Sequence, residues 1–181
     1  MNLLMDGPLG LVAGRFMAKG NADAEREAID ELAPAPDDSV LVIGFGPGVG
    51  VADLLPRLPS GRIGGVDPSW AMHRLARRWA RDPRVRLERT TADRLPWPDD
   101  YFDGATAVNS IQFWKPLAAS AAEVARVLRP GARLVTVTHD WALRDGDGVV
   151  CALSENGFTN VSRRAADAEK GRATMLVGTA S

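Results

Sequence analysis

The chain has a single cysteine, Cys151, among 181 residues. That excludes an internal disulfide and fits a reducing compartment, so the expected location is cytoplasmic. A small buried apolar residue is expected at Cys151 rather than a nucleophile. Neither sign of charge is in excess: 22 Lys+Arg stand against 23 Asp+Glu, for a net charge of −1. No bulk attraction to nucleic acid or to an anionic membrane follows. No apolar run is long enough to span a bilayer. The opening MNLLMDGPLGLVAGRFMAKG is not read as a leader, because it lacks a basic start, carries Asp6 and is broken by Gly7-Pro8. There are two histidines, no metal-ligand spacing, no Ser–His–acid order and no Gly-Lys-Ser/Thr phosphate loop, so no metal is expected. Lysine is rare, three against nineteen arginines, which we read as a bias of composition rather than of function. No internal repeat or low-complexity linker divides the chain, and its length suits one domain with a sizeable core.

Regular alternation of strand and helix patterns is what the chain does contain. A helix is predicted over 22–33, with Asn21 as its N-cap and acids in its first turns. SVLVIGF reads as a strand buried on both faces, and helical spacing follows at Val51, Leu54, Leu55 and Leu58. RIGGVD, VRLER, YFDGATAVNS and ARLVTVTHD read as further strands. PSWAMHRLARRWA and PLAASAAEVARVLRPG read as helices, the second opened by Pro116 and closed by Gly131. A helix over roughly 148–156 and a hairpin of FTNVSRR with ATMLVGTA complete the order. The pattern predicts a doubly wound, mostly parallel, seven-stranded Rossmann-like α/β sheet with an antiparallel C-terminal hairpin strand. Ligands of such sheets sit outside the carboxyl ends of the strands, which brings Gly44–Gly50, Asp67, Asp93 and Asn109 to one rim.

The stretch VLVIGFGPGVG carries four glycines in seven residues, more than a bare strand-to-helix turn needs. A dinucleotide fingerprint fails on it: the third glycine is replaced by Val49 or Val51, depending on the starting point. Pro47 removes a backbone donor where a pyrophosphate needs one. An NAD-dependent oxidoreductase is therefore disfavoured. Asp67 ends the second strand, where a carboxylate accepts both hydroxyls of a ribose; capping the helix that starts at Pro68 is its other reading. A ribose without phosphates beside a glycine turn suggests a nucleoside-like cofactor.

These residues resemble the class I S-adenosylmethionine (SAM)-dependent methyltransferases in their small single-domain form. Four segments carry the resemblance: VLVIGFGPGVG, GVDPSWAM, TTADRLPWPDDYFD and EVARVLRPGARLV. Each is weak alone; their order and spacing are specific. The resemblance implies one methyltransferase-like domain over 1–181, with 1–37 as an N-terminal cap and helix and 38–181 as the α/β core. It implies SAM as methyl donor and S-adenosylhomocysteine as product. By resemblance, Gly44, Phe45, Gly46, Gly48, Asp67, Pro68, Met72, Ala92, Asp93, Arg94 and Asn109 are cofactor-contact candidates, with Asn21 and Met17 closing over the methionine end. Phe45 and Trp114 offer aromatic faces to a cation. In the family the residue two before the first glycine is usually acidic, whereas here it is Val42, and restoring an acid there is expected to tighten binding.

The basic stretch HRLARRWARDPRVRLER puts Arg74, Arg77, Arg78 and Arg81 on one helical stripe, read as a solvated face rather than a nucleic-acid patch. His73 is expected to be exposed. His139, in THDW on the rim, is the candidate for deprotonating or orienting an acceptor, with a rim histidine of no chemical role as the alternative. Gln112, Phe113, Trp114, His139, Asp140 and Trp141 make a fairly aromatic rim, which favours a small, partly apolar methyl acceptor. The short cap leaves the site open, so a homodimer or another partner could complete it. A non-catalytic SAM-binding or partner-binding module on the same scaffold is the alternative function.

Overall fold

The structure, a computed structural model, describes residues 8–168 and 171–181, with side chains described for 20–166 and 171–181. Seven strands form one sheet in the order β3-β2-β1-β4-β5-β7-β6. They are β1 (Ser39–Ile43), β2 (Arg62–Val66), β3 (Val85–Glu88), β4 (Phe102–Val108), β5 (Leu128–His139), β6 (Phe158–Ala168) and β7 (Gly171–Ala180). The first five are parallel, and β7 runs antiparallel to both β5 and β6. The predicted sheet and its closing hairpin are present; the hairpin tip, 169–170, lies outside the described residues.

Side chains alternate across β1 and so feed two cores. Val40 and Val42 pack with α1 (Pro8–Leu32), α2 (Val49–Leu54) and α3 (Trp70–Ala76) through Ala28, Ile29, Val51, Leu54 and Met72. Leu41 and Ile43 pack on the other face with α4 (Leu117–Val127) and α5 (Gly146–Glu155) through Val124, Val127 and Leu153. Strands covered on both faces are why the parallel segments read as continuous apolar runs.

Four expectations are corrected. Helix α1 begins at Pro8, not at residue 22, so Asn21 is an interior residue and not an N-cap. Glycines at 10, 14 and 20 weaken that upstream stretch and hid the helix; Pro8 suits a first-turn position. Helix α4 ends at Val127, and Leu128 is already extended and pairs with Phe102. Arg129, preceding Pro130, disfavours the helical region, and Gly131 then turns the chain at φ 86°. Cys151 is exposed, with its thiol donating to Glu155 at 3.3 Å, which pushes the thiol pKa up. His73 is half-buried edge-on against Phe45, with Nε2 3.0 Å from the Asp67 carbonyl oxygen. The arginine stripe is as expected: Arg74, Arg77, Arg78 and Arg81 are all exposed.

Val42 is 2% exposed, between Gly65 on β2 and Thr106 on β4. Its surroundings are apolar, so an acid there meets a desolvation cost first. Val42→Glu is expected to lower stability by about 3 kcal/mol. Equilibrium urea denaturation at neutral pH checks this, and a loss below about 1 kcal/mol would mean that water or a cation reaches the position.

Candidate functional site

The chain leaves β1 for β2 and β3, then returns to place β4 on the other side of β1. That reversal opens a crevice at the carboxyl ends of β1 and β4. Gly44 follows β1 at φ 75°, and a Cβ added there would stand 2.5 Å from Ser110 Oγ, just beyond β4. Gly48, at φ 88°, would place a Cβ 2.6 Å from the Trp79 ring. Both need a backbone that other residues rarely adopt, and both are met closely by side chains from elsewhere in the chain. Between them the Gly46 N–H donates to Asp67 Oδ2 at 2.9 Å, so the end of β2 holds the glycine turn. Asp67 Oδ1 accepts from Ser69 N at 2.8 Å. The N-cap of α3 is Ser69, whose hydroxyl accepts from Met72 N. Asp67 is thus a turn-bracing carboxylate 8% exposed at the rim.

Asn109, one residue beyond β4, adopts φ 47°, a conformation that asparagine tolerates better than most residues. Its Nδ2 donates to Asn21 Oδ1 at 3.1 Å, and its Oδ1 accepts the His139 backbone N–H at 3.0 Å. A backbone N–H can only donate, which fixes the amide orientation. His139 Nδ1, 2.9 Å from the same oxygen, must then carry the ring proton. In the neutral ring this leaves the lone pair on Nε2. His139 is buried, at 3% exposure, with Trp141 beside it at 6.0 Å between ring centroids. The helix α1, the end of β4 and the end of β5 therefore meet through Asn21, Asn109 and His139.

A groove of about 420 Å³ opens beside β2 and β3, lined by Pro68, Thr90, Asp93, Arg94 and Lys115 among others. Asp93 is partly exposed, with Arg94 Nε 3.7 Å from its Oδ2. The loop carrying these residues is tied to α4. Arg126 donates to the carbonyls of Leu95 and Trp97 and to Asp99 and Glu123, while Glu123 accepts from Leu95 N. The hydrogen bonds from Arg126 hold the Glu123 carboxyl below its ordinary range.

The other predicted contacts fall elsewhere. Phe45, Met72, Ala92 and Trp114 are buried at 6% exposure or less, so Phe45 and Trp114 act first as packing. Trp114 donates from Nε1 to Ser110 Oγ. The side chain of Met17 lies outside the described residues. Among the described residues, no cluster of three His, Cys, Asp or Glu is placed to hold a metal, and no helix is long and apolar enough to cross a membrane.

Sequence reading missed Glu25. It lies on α1 at 5% exposure, on the stripe it shares with Ala28, Ile29 and Leu32, and its Oε2 is buried without a partner. A Cβ on Gly50 would overlap its carboxylate. Burial, and second the charge of Asp53 on α2, push its pKa up to about 8. The signal was available: an acid at an i, i+3, i+4, i+7 apolar spacing, masked by the reading of these acids as first-turn residues.

A mostly parallel seven-stranded sheet, with a glycine turn and a carboxylate at its switch point, defines an α/β protein of the Rossmann-like class. The family described as a methyltransferase domain matches residues 40–131. A Bacillus subtilis (strain 168) protein, uncharacterized methyltransferase YdaC, is 31% identical over 123 residues, covering 68% of each chain. A demethylmenaquinone methyltransferase of Beutenbergia cavernae is 31% identical over 120 residues, 65% of this chain and 48% of that one. The chain thus spans about two thirds of one curated relative and half of the other. A SAM-dependent methyltransferase structure from Aquifex aeolicus superposes with a TM-score of 0.79 at 15% identity, covering 94% of this chain and 98% of that one, which is a likeness of fold. The chain belongs to the methyltransferase-domain family, among the class I SAM-dependent methyltransferases.

Glu25 makes stability depend on pH. Its folded pKa of about 8 exceeds the ordinary 4.5, so between those values the folded state binds the extra proton. The contribution is complete below about 4.5 and is lost as pH rises to about 8. Melting temperature measured against pH is expected to fall more steeply over that window in wild type than in Glu25→Gln, and parallel curves would place the carboxyl in contact with water.

Proposed function

We propose that this chain transfers the methyl group of SAM to a small, partly apolar acceptor. The observation that carries this reading is the union of the glycine turn with Asp67 at the switch point of the sheet, where the Gly46 N–H meets the carboxylate at 2.9 Å. The turn from Gly44 to Gly50 contains no basic residue and has Pro47 at its centre. Those features suit a cationic nucleoside and not a pyrophosphate. Buried Glu25 points the same way: its Oε2 lies without a partner close behind the turn, and an arriving cation would favour its ionised form.

In this reading Asp67 accepts from the ribose hydroxyls, and Gly44, Gly46 and Gly48 allow close backbone approach. Asp93 and Pro68, with Ala92 and Arg94, shape the groove for the adenine. Asn109 and Asn21 meet the amino-acid end. SAM, when bound, supplies a methyl carbon activated by its positive sulfonium. The chain's own part is to orient the two reactants and exclude water. His139, its Nδ1–H committed to Asn109, has the tautomer that a proton acceptor at Nε2 requires. Phe113 and Trp141, 67% and 79% exposed on the segments after β4 and β5, offer aromatic surface for the acceptor. A second copy of the chain covering the same two rings would complete the site as a homodimer.

S-adenosylhomocysteine is expected to raise the melting temperature, and NAD is not. Binding to the native state alone adds about 2.7 kcal/mol at a hundredfold excess over Kd. A shift with NAD and none with S-adenosylhomocysteine in differential scanning fluorimetry would overturn the reading. Asp67→Ala is expected to weaken binding by about 1.5–3 kcal/mol, because a charged acceptor is lost. Since Asp67 also braces Gly46, a stability loss of about 1 kcal/mol accompanies it; calorimetric titration and denaturation separate the two effects, and unchanged affinity would leave Asp67 a structural brace.

A further inference from the structure

We propose that Glu25 on α1 is the counter-charge for the α-ammonium group of the bound SAM or S-adenosylhomocysteine, a carboxyl supplied from the helix in a chain whose β1 carries Val42 where the family usually has an acid. The inference rests on the reading above that the chain binds this nucleoside. Geometry places Glu25 for the role. One helical turn before it, Asn21 bonds Asn109 at the end of β4. Its carboxyl packs against Gly50, the last residue of the glycine turn and already in the first turn of α2. Glu25 therefore lies between the two walls that would hold the amino-acid end. Val42 faces the same layer, since it packs with Ala24 and Ala28, the neighbours of Glu25 on α1.

Packing alone does not account for an acid here. The position belongs to the apolar stripe of α1, where an alanine or leucine costs no desolvation. Instead the chain keeps a carboxyl at 5% exposure, and the missing Cβ of Gly50 provides the space for it. Asp53 faces it from α2, and its Oδ2 is likewise buried without a partner. Among the described residues no cation pairs with either. Two carboxyls fall short of the ligand set of a metal ion, and among the described residues no third ligand stands near. An ammonium group has three donors and one charge, which two neighbouring carboxyls can take.

Burial raises the Glu25 carboxyl to about 8, so it is neutral at pH 7. An arriving ammonium favours the ionised form, so binding should expel a proton. Calorimetric titration at pH 7, in buffers of different ionisation enthalpy, tests this with two ligands. S-adenosylhomocysteine carries the ammonium; 5′-methylthioadenosine has the same adenosine and thioether without the amino-acid end. Wild type is expected to release close to one proton with the first and none with the second. Glu25→Gln is expected to bind S-adenosylhomocysteine about tenfold more weakly without proton release, and to bind methylthioadenosine within about twofold of wild type. An equal loss for both ligands, or no loss for either, overturns the proposal and leaves the nucleoside reading standing. Failure of wild type to bind either ligand overturns the nucleoside reading, and this proposal with it. Should Glu25→Gln not fold, wild type alone decides: affinity for S-adenosylhomocysteine must tighten as pH rises toward about 8 and then level, and a flat profile refutes the role.

Discussion

The turn between β1 and α2 is held by what presses on it. Ser110 reaches it from beyond β4, Trp79 from the segment after α3, and Glu25 from α1, each filling the place of a missing Cβ at Gly44, Gly48 and Gly50. Asp67 reaches it from β2 by a hydrogen bond to Gly46. Four distant parts of the chain therefore converge on seven residues, and none can close up unless those glycines stay glycine. The sheet order follows from the same contact: β4 must return beside β1 for Ser110 to meet Gly44. A side chain at Gly44 or Gly48 would push on an inflexible neighbour while also holding a strained backbone.

The proposed cationic ligand agrees with where the ionisable groups stand. Arg74, Arg77, Arg78 and Arg81 are turned outward, and Arg74 and Arg78 lie over the rings of Trp70 and Trp79. Arg126 spends its donors on Leu95, Trp97, Asp99 and Glu123, fixing the loop that carries Asp93. Around the crevice stand Asp67, Asp93 and, behind the turn, Glu25 and Asp53. Few exposed arginines of this kind add stability by pairing at the surface; the use of Arg126 is positional, since it ties the loop from Leu95 to Asp99 to α4.

The strands and the hairpin were legible because a parallel sheet covered on both faces needs continuous apolar runs, and SVLVIGF and ARLVTVTH are such runs. Asp67 and Asn109 were legible because the strand ends define the rim once the alternation of strand and helix is recognised. The extent of α1 was not, since its glycines argue against a helix locally and only docking on the sheet outweighs them. The burial of His73 was not, because Phe45 comes to it from another strand-to-helix turn.

By itself the sequence determined the order of elements, the glycine turn unsuited to a pyrophosphate, the absence of an acid at position 42 and the family these features imply. Those properties are local: spacing, backbone freedom and missing donors do not depend on distant neighbours. Tertiary structure alone decided that Val42 lies in an apolar layer, that His139 and Asn21 share one amide, and that Glu25 stands buried against Gly50. Each of these depends on which residues the sheet brings within a few ångströms across dozens of positions of chain, and desolvation, which sets the state of Glu25, exists only once the chain has closed around it.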